Sequence, residues 1–486
     1  MRYLKDFLFS NTSNRQTVVK NTFWLFASEG IARVLKMVLV IYAARVLGAE
    51  GWGTFSYALS LGSLLMIGSD IGLSGLITRE ILQKKEGFRS FISTALLVKS
   101  IILILSTAAV VLVGPMISHL PEARVLLPLI AITLFFDAVR DLTLVINTAF
   151  EKMERDMLAK TVMSVLTVGI GIALLYIAVL PRSVAIAYAV GSVVGCILAL
   201  WSAGSDMRNL FGKIDRKLIG TVLQTTLPFA AISLITNVMA NTDIYLLGVW
   251  KDATEIGLYT SVQRIQQFIL IIPVIIATAV FPLLSRLAVK DTPQFAVVLG
   301  KTTALMFMIG LPISVGGIIL SEKIVVLLFG VGFTSAVPIL QLLLLMLLAS
   351  FPLVLFSNSI FAYNGQNKLA LMYGAGMLAN ALFNIILIPR FGAVGSAIAT
   401  LISTLCITGL VWKRLYDLSR LEVLSRLGRS IIATILMGIA LIGMQYAAFP
   451  FVAELLIAIV LYGGILWISK EPILREIPSL RATPLS

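Results

Sequence analysis

The sequence has few charged residues and almost none of the residue types that build metal or disulfide sites. Only 13% of its 486 residues are charged, whereas soluble domains contain about 25%. It has one histidine, His119, and two cysteines, Cys196 and Cys406, both of which fall inside apolar stretches. These scarcities predict no metal centre, no disulfide framework and no histidine-based active site.

Long apolar runs take the place of the missing charge. The chain is 59% hydrophobic, and runs of the roughly 20 apolar residues that a membrane-spanning helix needs recur along nearly its whole length. The first run begins near Asn21 and contains Glu29, Arg33 and Lys36. It therefore differs from the short uncharged core of a cleavable signal peptide, and we expect it to be retained. The predicted fold class is an all-α integral membrane protein with about fourteen transmembrane helices.

The predicted spans form two groups of six and a final pair. They cover residues 20–44, 53–77, 91–114, 122–149, 157–180, 184–203, 218–249, 257–284, 294–320, 336–361, 368–388, 393–412, 430–447 and 450–469. The predicted domains are a cytoplasmic amphipathic N-terminus (1–19), an N-terminal lobe (20–205), a cytoplasmic linker (206–217), a C-terminal lobe (218–412), a cytoplasmic amphipathic linker (413–429), a helix pair (430–469) and a cytoplasmic tail (470–486). The two amphipathic segments are expected to lie on the membrane surface.

Positive charge is distributed unevenly between the two sides of this topology. Lysines and arginines in the first four residues of a span (Lys20, Arg124, Lys160 and Lys368) are counted here with the adjacent connection. With the N-terminus inside, the cytoplasmic connections and tails then hold 26 of the 38 lysines and arginines, the outer connections hold six, and six lie deeper within the spans. Because positively charged loops resist translocation, this asymmetry predicts that both termini are cytoplasmic. It also accounts for most of the net charge of +14. Membrane lipids are therefore expected partners, and nucleic acid is not.

Short motifs of the first half recur in the second half at similar offsets of 200, 211 and 208 residues. In the first pair, Leu47-Gly48 followed by Gly53-Thr54-Phe55-Ser56 matches Leu247-Gly248 followed by Gly257-Leu258-Tyr259-Thr260. In the second pair, Asn147-Thr148-Ala149-Phe150 matches Asn358-Ser359-Ile360-Phe361. In the third pair, Pro181-Arg182 matches Pro389-Arg390. Both members of each pair begin on the same side of the membrane. The repeat predicts two parallel six-helix lobes around a central cavity that holds the substrate path.

Ionisable side chains inside the predicted spans are the main functional signal, because each costs about 2.5–3.5 kcal/mol at the centre of a membrane helix. Glu29, Arg33 and Lys36 have the i, i+4, i+7 spacing that places side chains on one helix face. Later spans add further charges: Asp137, Arg140, Asp141, Asp243 and Arg264. Pairing among these groups explains part of the set, yet the first, fourth and eighth spans together hold four cations against three acids away from their ends.

This excess of positive charge predicts a cationic cavity. Its candidate substrate-binding residues are Arg33, Lys36, Arg140 and Arg264. Guanidinium groups bind phosphate oxygens bidentately, so the expected substrate is a phosphorylated anion. The candidate sites for proton or ion coupling are Glu29, Asp137 and Asp243. A second interpretation, in which the buried charges serve only to pair with each other, stays open at this point.

Three segments carry a resemblance to a known family. They are Tyr42-Ala43-Ala44-Arg45-Val46-Leu47-Gly48 with Gly53-Thr54-Phe55, Asp243 to Gly248 with Gly257-Leu258-Tyr259, and Ile388-Pro389-Arg390-Phe391-Gly392-Ala393-Val394-Gly395. The chain resembles the polysaccharide transporter branch of the multidrug, oligosaccharidyl-lipid and polysaccharide exporter superfamily, the Wzx-type flippases. The likeness extends over roughly residues 15 to 415. Its motifs are structural turns and do not define a substrate.

The resemblance implies a flippase that moves an undecaprenyl-pyrophosphate-linked oligosaccharide to the outer leaflet of the cytoplasmic membrane by alternating access. It implies a transporter rather than an enzyme, without a cofactor. The implied partners are the lipid-linked oligosaccharide and a glycan polymerase or other assembly proteins. The alternative is a cation-coupled multidrug efflux antiporter of the same superfamily, whose drug site is expected to be acidic and aromatic, whereas the charges here lean basic.

Overall fold

The computed structural model describes residues 14–66, 88–150, 152–208, 212–363, 365–419, 427–447 and 449–471, and the regular structure of these ranges is helical throughout. The helices are α1 Asn14–Leu65, α2 Phe88–Leu112, α3 Gly114–Ile117, α4 Pro121–Arg124, α5 Leu127–Ala149, α6 Met153–Ile177, α7 Pro181–Arg208, α8 Leu218–Trp250, α9 Ala253–Ile269, α10 Ile271–Lys290, α11 Thr292–Ile319, α12 Ser321–Phe329, α13 Val337–Ala362, α14 Gln366–Ser419, α15 Gly428–Tyr446 and α16 Phe451–Ile468. A 3₁₀ turn, Val331–Ala336, precedes α13. The prediction of an all-α fold is confirmed.

The helices have the character of membrane-spanning segments. Within the described residues, nine helical stretches are long and apolar enough to cross a membrane. Their outer faces expose large apolar side chains, such as Leu105 on α2 and Val460 on α16. Such faces are stable in lipid, where the backbone hydrogen bonds of a helix are satisfied internally. Every predicted span overlaps a helix, although residues 67–77 of the second span and residues 1–13 of the amphipathic N-terminus lie outside the described residues.

Helix α1 contains two predicted spans and bends between them at one residue. Gly48 has φ 72° and ψ 178°, in the left-handed half of conformational space that costs other residues roughly 1–2 kcal/mol. The residues on either side stay helical, so the polar turn predicted between residues 44 and 53 is wrong in extent. Helix α14 repeats this arrangement, because Gly392 with φ 56° joins the eleventh and twelfth predicted spans.

Two other boundaries differ from the prediction. The span predicted at 257–284 consists of two helices, α9 and α10, which meet at Leu270. Pro273 lies in the first turn of α10, where the missing amide hydrogen of proline costs no helical hydrogen bond. Helix α14 continues to Ser419, past the predicted end at residue 412, and residues 420–426 of the amphipathic linker lie outside the described residues.

The chain forms two compact units, Met1–Ser261 and Val262–Ser486. In the first unit α1 packs against α6, and α7 packs against both α5 and α6. Helix α8 contacts α1 and α2, which explains why it groups with the first unit. In the second unit α13 packs against α10, α11 and α14, while α15 packs against α11 and α16. The lobe boundary predicted at 206–217 stays a prediction.

The glycines of the first repeated motif contact each other in the first unit. Gly53 on α1 lies against the backbone of Ala253, and Gly257 on α9 lies against the backbone of Ala49. A Cβ at either glycine would overlap the carbonyl oxygen of the opposite helix. Small residues permit such close helix approach in membranes. The repeated Gly53 and Gly257 motifs are therefore a helix-packing device.

Candidate functional site

A cavity of about 490 Å³ in the first unit collects charged side chains from three helices. Its lining comprises Glu29, Ala32, Arg33 and Lys36 of α1, Arg140, Asp141, Leu144 and Val145 of α5, and Lys160 of α6. We refer to it as the charged cavity. Four of the lining side chains are cationic and two are acidic, so the lining carries a formal excess of positive charge. Three of the four predicted cationic residues line this one space.

The contribution of α1 follows directly from helical spacing. Glu29, Arg33 and Lys36 all line the charged cavity, which confirms that they share one helix face. Arg33 Nε lies 3.6 Å from Glu29 Oε2, and the Arg33 side chain is 48% exposed. A guanidinium has five N–H donors, and this contact involves only the Nε of Arg33. A guanidinium on the cavity wall can bind a phosphate or carboxylate bidentately.

Lys160 is the cavity residue that sequence reasoning missed. Its Nζ donates a hydrogen bond to Glu29 Oε1, which joins α6 to α1. In the sequence Lys160 lies near the start of a predicted span and counts among the cytoplasmic positive charges. The helix begins earlier than predicted, at Met153, so Lys160 lies two turns inside it. The spacing of residues along one helix cannot reveal a hydrogen-bond partner on another helix.

Arg140 is fixed between two acids of its own helix. Its Nη1 donates to Asp137 Oδ1 at 2.8 Å, and its Nη2 donates to Asp141 Oδ1 at 2.9 Å. The Arg140 side chain is 11% exposed. Both acids of α5, Asp137 and Asp141, therefore pair with Arg140 of the same helix. Both terminal nitrogens of Arg140 are engaged, so it is the more rigid cation of the site.

A second ion pair joins the helices that carry Glu29 and Lys160. Lys20 Nζ on α1 lies 3.2 Å from Glu154 Oε2 on α6, and the Lys20 side chain is 1% exposed. Asp156, two residues further along α6, is buried. Two ion pairs, Glu29 with Lys160 and Lys20 with Glu154, therefore join α1 to α6.

Three predicted site residues lie outside the lining of the charged cavity, namely Asp137, which pairs with Arg140, Asp243 and Arg264. Asp243 on α8 is 3% exposed and accepts a 2.8 Å hydrogen bond from Tyr259 Oη. Arg264 on α9 belongs to the second unit, and its Nη1 donates to Gln267 Oε1 at 3.0 Å. Substrate binding by Arg264 stays a prediction, as do the coupling roles of Glu29, Asp137 and Asp243. Within the described residues, no group of three or more histidine, cysteine or carboxylate side chains is arranged to hold a metal ion.

The second unit contains an apolar cavity of about 580 Å³. Its walls come from α9, α11, α12, α13, α15 and α16 and include Ile313, Leu344, Met437 and Leu455. The side chains are almost entirely aliphatic, with Tyr462 as the main polar exception. A long hydrocarbon chain fits the chemistry of these walls.

The fold and the charged cavity together define a class of protein. Cations that line a cavity within a bundle of apolar helices are typical of a multi-pass membrane transporter. The chain belongs to the polysaccharide biosynthesis protein family, whose model matches residues 18–288. A second family model, described as lipid II flippase MurJ, matches residues 157–462. The family predicted from the sequence is confirmed.

Curated relatives and solved structures agree with this assignment. The chain is 21% identical to the probable low-salt glycan biosynthesis flippase Agl15 of Haloferax volcanii over 79% of this chain and 81% of that protein. It is 24% identical to the putative O-antigen transporter of Shigella flexneri over 79% of this chain and 94% of that protein. Its fold is similar to lipid II flippase MurJ in an inward closed conformation, with a TM-score of 0.75, 17% identity, and 93% and 99% of the two chains covered. A multidrug resistance MATE family transporter in an inward-facing conformation has a TM-score of 0.60 with 17% identity, and 81% and 94% of the two chains covered.

Proposed function

We propose that this protein is a flippase for a lipid-linked oligosaccharide whose headgroup is a pyrophosphate. The observation that carries the proposal is the charged cavity, which sets Arg33, Lys36, Arg140 and Lys160 around one space in a chain of the polysaccharide biosynthesis protein family. An anionic headgroup that leaves water needs such cations to replace its hydration. The substrate is therefore an amphiphile with a negatively charged head.

The geometry of the cations suits a phosphate. The Arg33 side chain is about half exposed on the cavity wall, while Arg140 is fixed by Asp137 and Asp141. Charge-assisted bonds of this kind are worth about 1.5–3 kcal/mol each. Two or three of them contribute to holding a pyrophosphate in the charged cavity.

The apolar cavity of the second unit supports the lipid part of the proposal. Its aliphatic walls, which include Ile313, Leu344 and Met437, match an isoprenoid chain and offer little to a polar molecule. A polyprenyl pyrophosphate combines both chemistries that the two cavities accept.

The protein works, in this proposal, as a transporter in the cytoplasmic membrane with both termini in the cytoplasm. It carries the lipid-linked oligosaccharide from the inner to the outer leaflet by alternating access and catalyses no covalent step. Its partners are the lipid-linked oligosaccharide, the surrounding lipids, and a glycan polymerase or other assembly proteins. Glu29, Asp137 and Asp243 are the candidate groups for coupling to a proton or another ion.

A cation-coupled multidrug antiporter is the second candidate, since the fold is also similar to a multidrug transporter. A site for lipophilic cations needs acidic and aromatic walls. The charged cavity has four cations against two acids, and its remaining lining is aliphatic. The excess of positive charge in the cavity lining therefore favours the flippase over the multidrug antiporter.

Reconstitution of the purified protein into proteoliposomes separates the two functions. We expect wild type to flip a fluorescent polyprenyl-pyrophosphate oligosaccharide and to leave the distribution of a cationic dye such as ethidium unchanged. Transport of the dye under a proton or sodium gradient, without flipping of the lipid-linked oligosaccharide, would favour the multidrug function and overturn the proposal.

A further inference from the structure

Glu29 lies in the charged cavity between two cations that come from different helices. Its Oε1 accepts a hydrogen bond from Lys160 Nζ on α6, and its Oε2 lies 3.6 Å from Arg33 Nε on α1. The Glu29 side chain is 40% exposed, so the carboxylate faces the cavity. Each of its two oxygens is thus engaged by a cation that a phosphate entering the cavity would also contact.

We propose that Glu29 is an internal counter-anion, which the pyrophosphate headgroup displaces from Arg33 and Lys160 when it binds. The inference rests on the proposed function and adds to it a residue that sets the affinity for the headgroup. Glu29 acts on the substrate through the two cations and is therefore a positioning residue.

The surroundings of Glu29 argue against a purely structural role. Helices α1 and α6 are already joined by the pair of Lys20 with Glu154, in which Lys20 is nearly fully buried. The pair of Glu29 with Lys160 is more exposed, and the contribution of an ion pair to stability falls as its exposure to water rises. The acids of α5 differ from Glu29, because both Asp137 and Asp141 bind the same buried cation, Arg140.

A counter-anion of this kind serves release as well as binding. Without Glu29, Arg33 and Lys160 would hold a pyrophosphate more tightly and release it more slowly. When the headgroup leaves, the Glu29 carboxylate takes its place on Arg33 and Lys160, which lowers the cost of separating the charges. Removing the negative charge of Glu29 should therefore lower the KM for the lipid-linked substrate and the maximal flipping rate together.

The experiment compares wild type with Glu29→Gln, Lys160→Gln and the double variant, in detergent and in proteoliposomes. Binding of inorganic pyrophosphate is measured by calorimetry, and flipping of the fluorescent polyprenyl-pyrophosphate oligosaccharide is measured over a range of substrate densities. Loss of one like charge close to the bound anion should tighten pyrophosphate binding about tenfold in Glu29→Gln. Lys160→Gln should weaken it by a similar factor, and the double variant should return close to wild type.

The matched control is Glu122→Gln, which removes the same charge from an exposed position on the short helix α4. We expect its pyrophosphate affinity and flipping kinetics to equal those of wild type.

The outcomes separate this inference from the proposed function. If wild type binds pyrophosphate and flips the lipid-linked oligosaccharide while Glu29→Gln has unchanged Kd and KM, the counter-anion role is wrong and the proposed function stands. If Glu29→Gln and Lys160→Gln both lower the melting temperature and neither changes Kd, the pair is structural and the inference is again overturned. A wild type that neither binds pyrophosphate nor flips the substrate overturns both.

Discussion

At the residue scale, Arg140 compensates the negative charges of the two acids of α5, Asp137 and Asp141. Both terminal nitrogens of its guanidinium bind carboxylates, and the side chain is 11% exposed. Lysine offers a point charge in place of this planar fork and cannot bind both acids in the same geometry. The stability of the fold therefore depends on Arg140 remaining paired with these two acids.

We predict that Arg140→Met lowers the free energy of unfolding by about 1–3 kcal/mol, because Asp137 and Asp141 lose their partner. The triple variant Asp137→Asn, Arg140→Met, Asp141→Asn should recover most of the loss, because no carboxylate is then left unpaired. Thermal unfolding in detergent, followed by intrinsic fluorescence, measures both. A triple variant as unstable as the single one would mean that Arg140 acts through packing and not through charge.

Individual charges of the site could be predicted from the sequence, but their partners could not. The spacing of Glu29, Arg33 and Lys36 fixes a common helix face, and the structure confirms it. Lys160 escaped prediction because its role depends on how α6 packs against α1, which is a tertiary property. The assignment of Arg264 to the second compact unit also depends on tertiary packing, so it could not be predicted from the sequence.

At the element scale, glycines determine how the helices join and pack. Gly48 and Gly392 each bend a long helix at one residue with a positive φ. Hydropathy located the spans on either side of both bends. It could not show that the helix continues almost unbroken through them, because polar residues such as Arg45 and Arg390 interrupt the apolar runs whether the segment is a helix or a loop.

The contact between the Gly53 and Gly257 motifs gives a prediction at this scale. Gly257→Ala should lower the free energy of unfolding by at least about 1–3 kcal/mol, because its Cβ would overlap the Ala49 carbonyl oxygen. The matched control is Gly169→Ala, at a helical position with open space around the added methyl group. In a thermal unfolding series, the control should equal or exceed wild type in melting temperature. Equal melting temperatures for Gly257→Ala and wild type would show that the close contact is absent in the membrane.

At the scale of the whole molecule, the uneven distribution of lysine and arginine determines the orientation that we propose. The connection at 212–217 carries several cations, and the segment around His119 lies at the opposite end of the neighbouring spans. Since positive loops stay inside, residue 213 should face the cytoplasm and residue 119 the outside.

Cysteine labelling tests this orientation. In a background with Cys196 and Cys406 replaced by serine, His119→Cys and Lys213→Cys place a thiol at exposed positions. A membrane-impermeant maleimide should label the first in intact cells and the second only after permeabilisation. The reverse pattern would invert the proposed topology.

The most direct test of the central claim is flipping of the fluorescent polyprenyl-pyrophosphate oligosaccharide by Arg33→Ala and Lys36→Ala in proteoliposomes at equal, verified insertion. Arg216→Ala, which removes an exposed cation from the 212–217 connection, is the matched control. If the charged cavity binds the headgroup, Arg33→Ala should reduce flipping about tenfold or more at low substrate density, since a charge-assisted bond is worth about 1.5–3 kcal/mol. Lys36→Ala should act in the same direction, and the control should match wild type. Unchanged flipping by both cavity variants would contradict the account and make their charges structural.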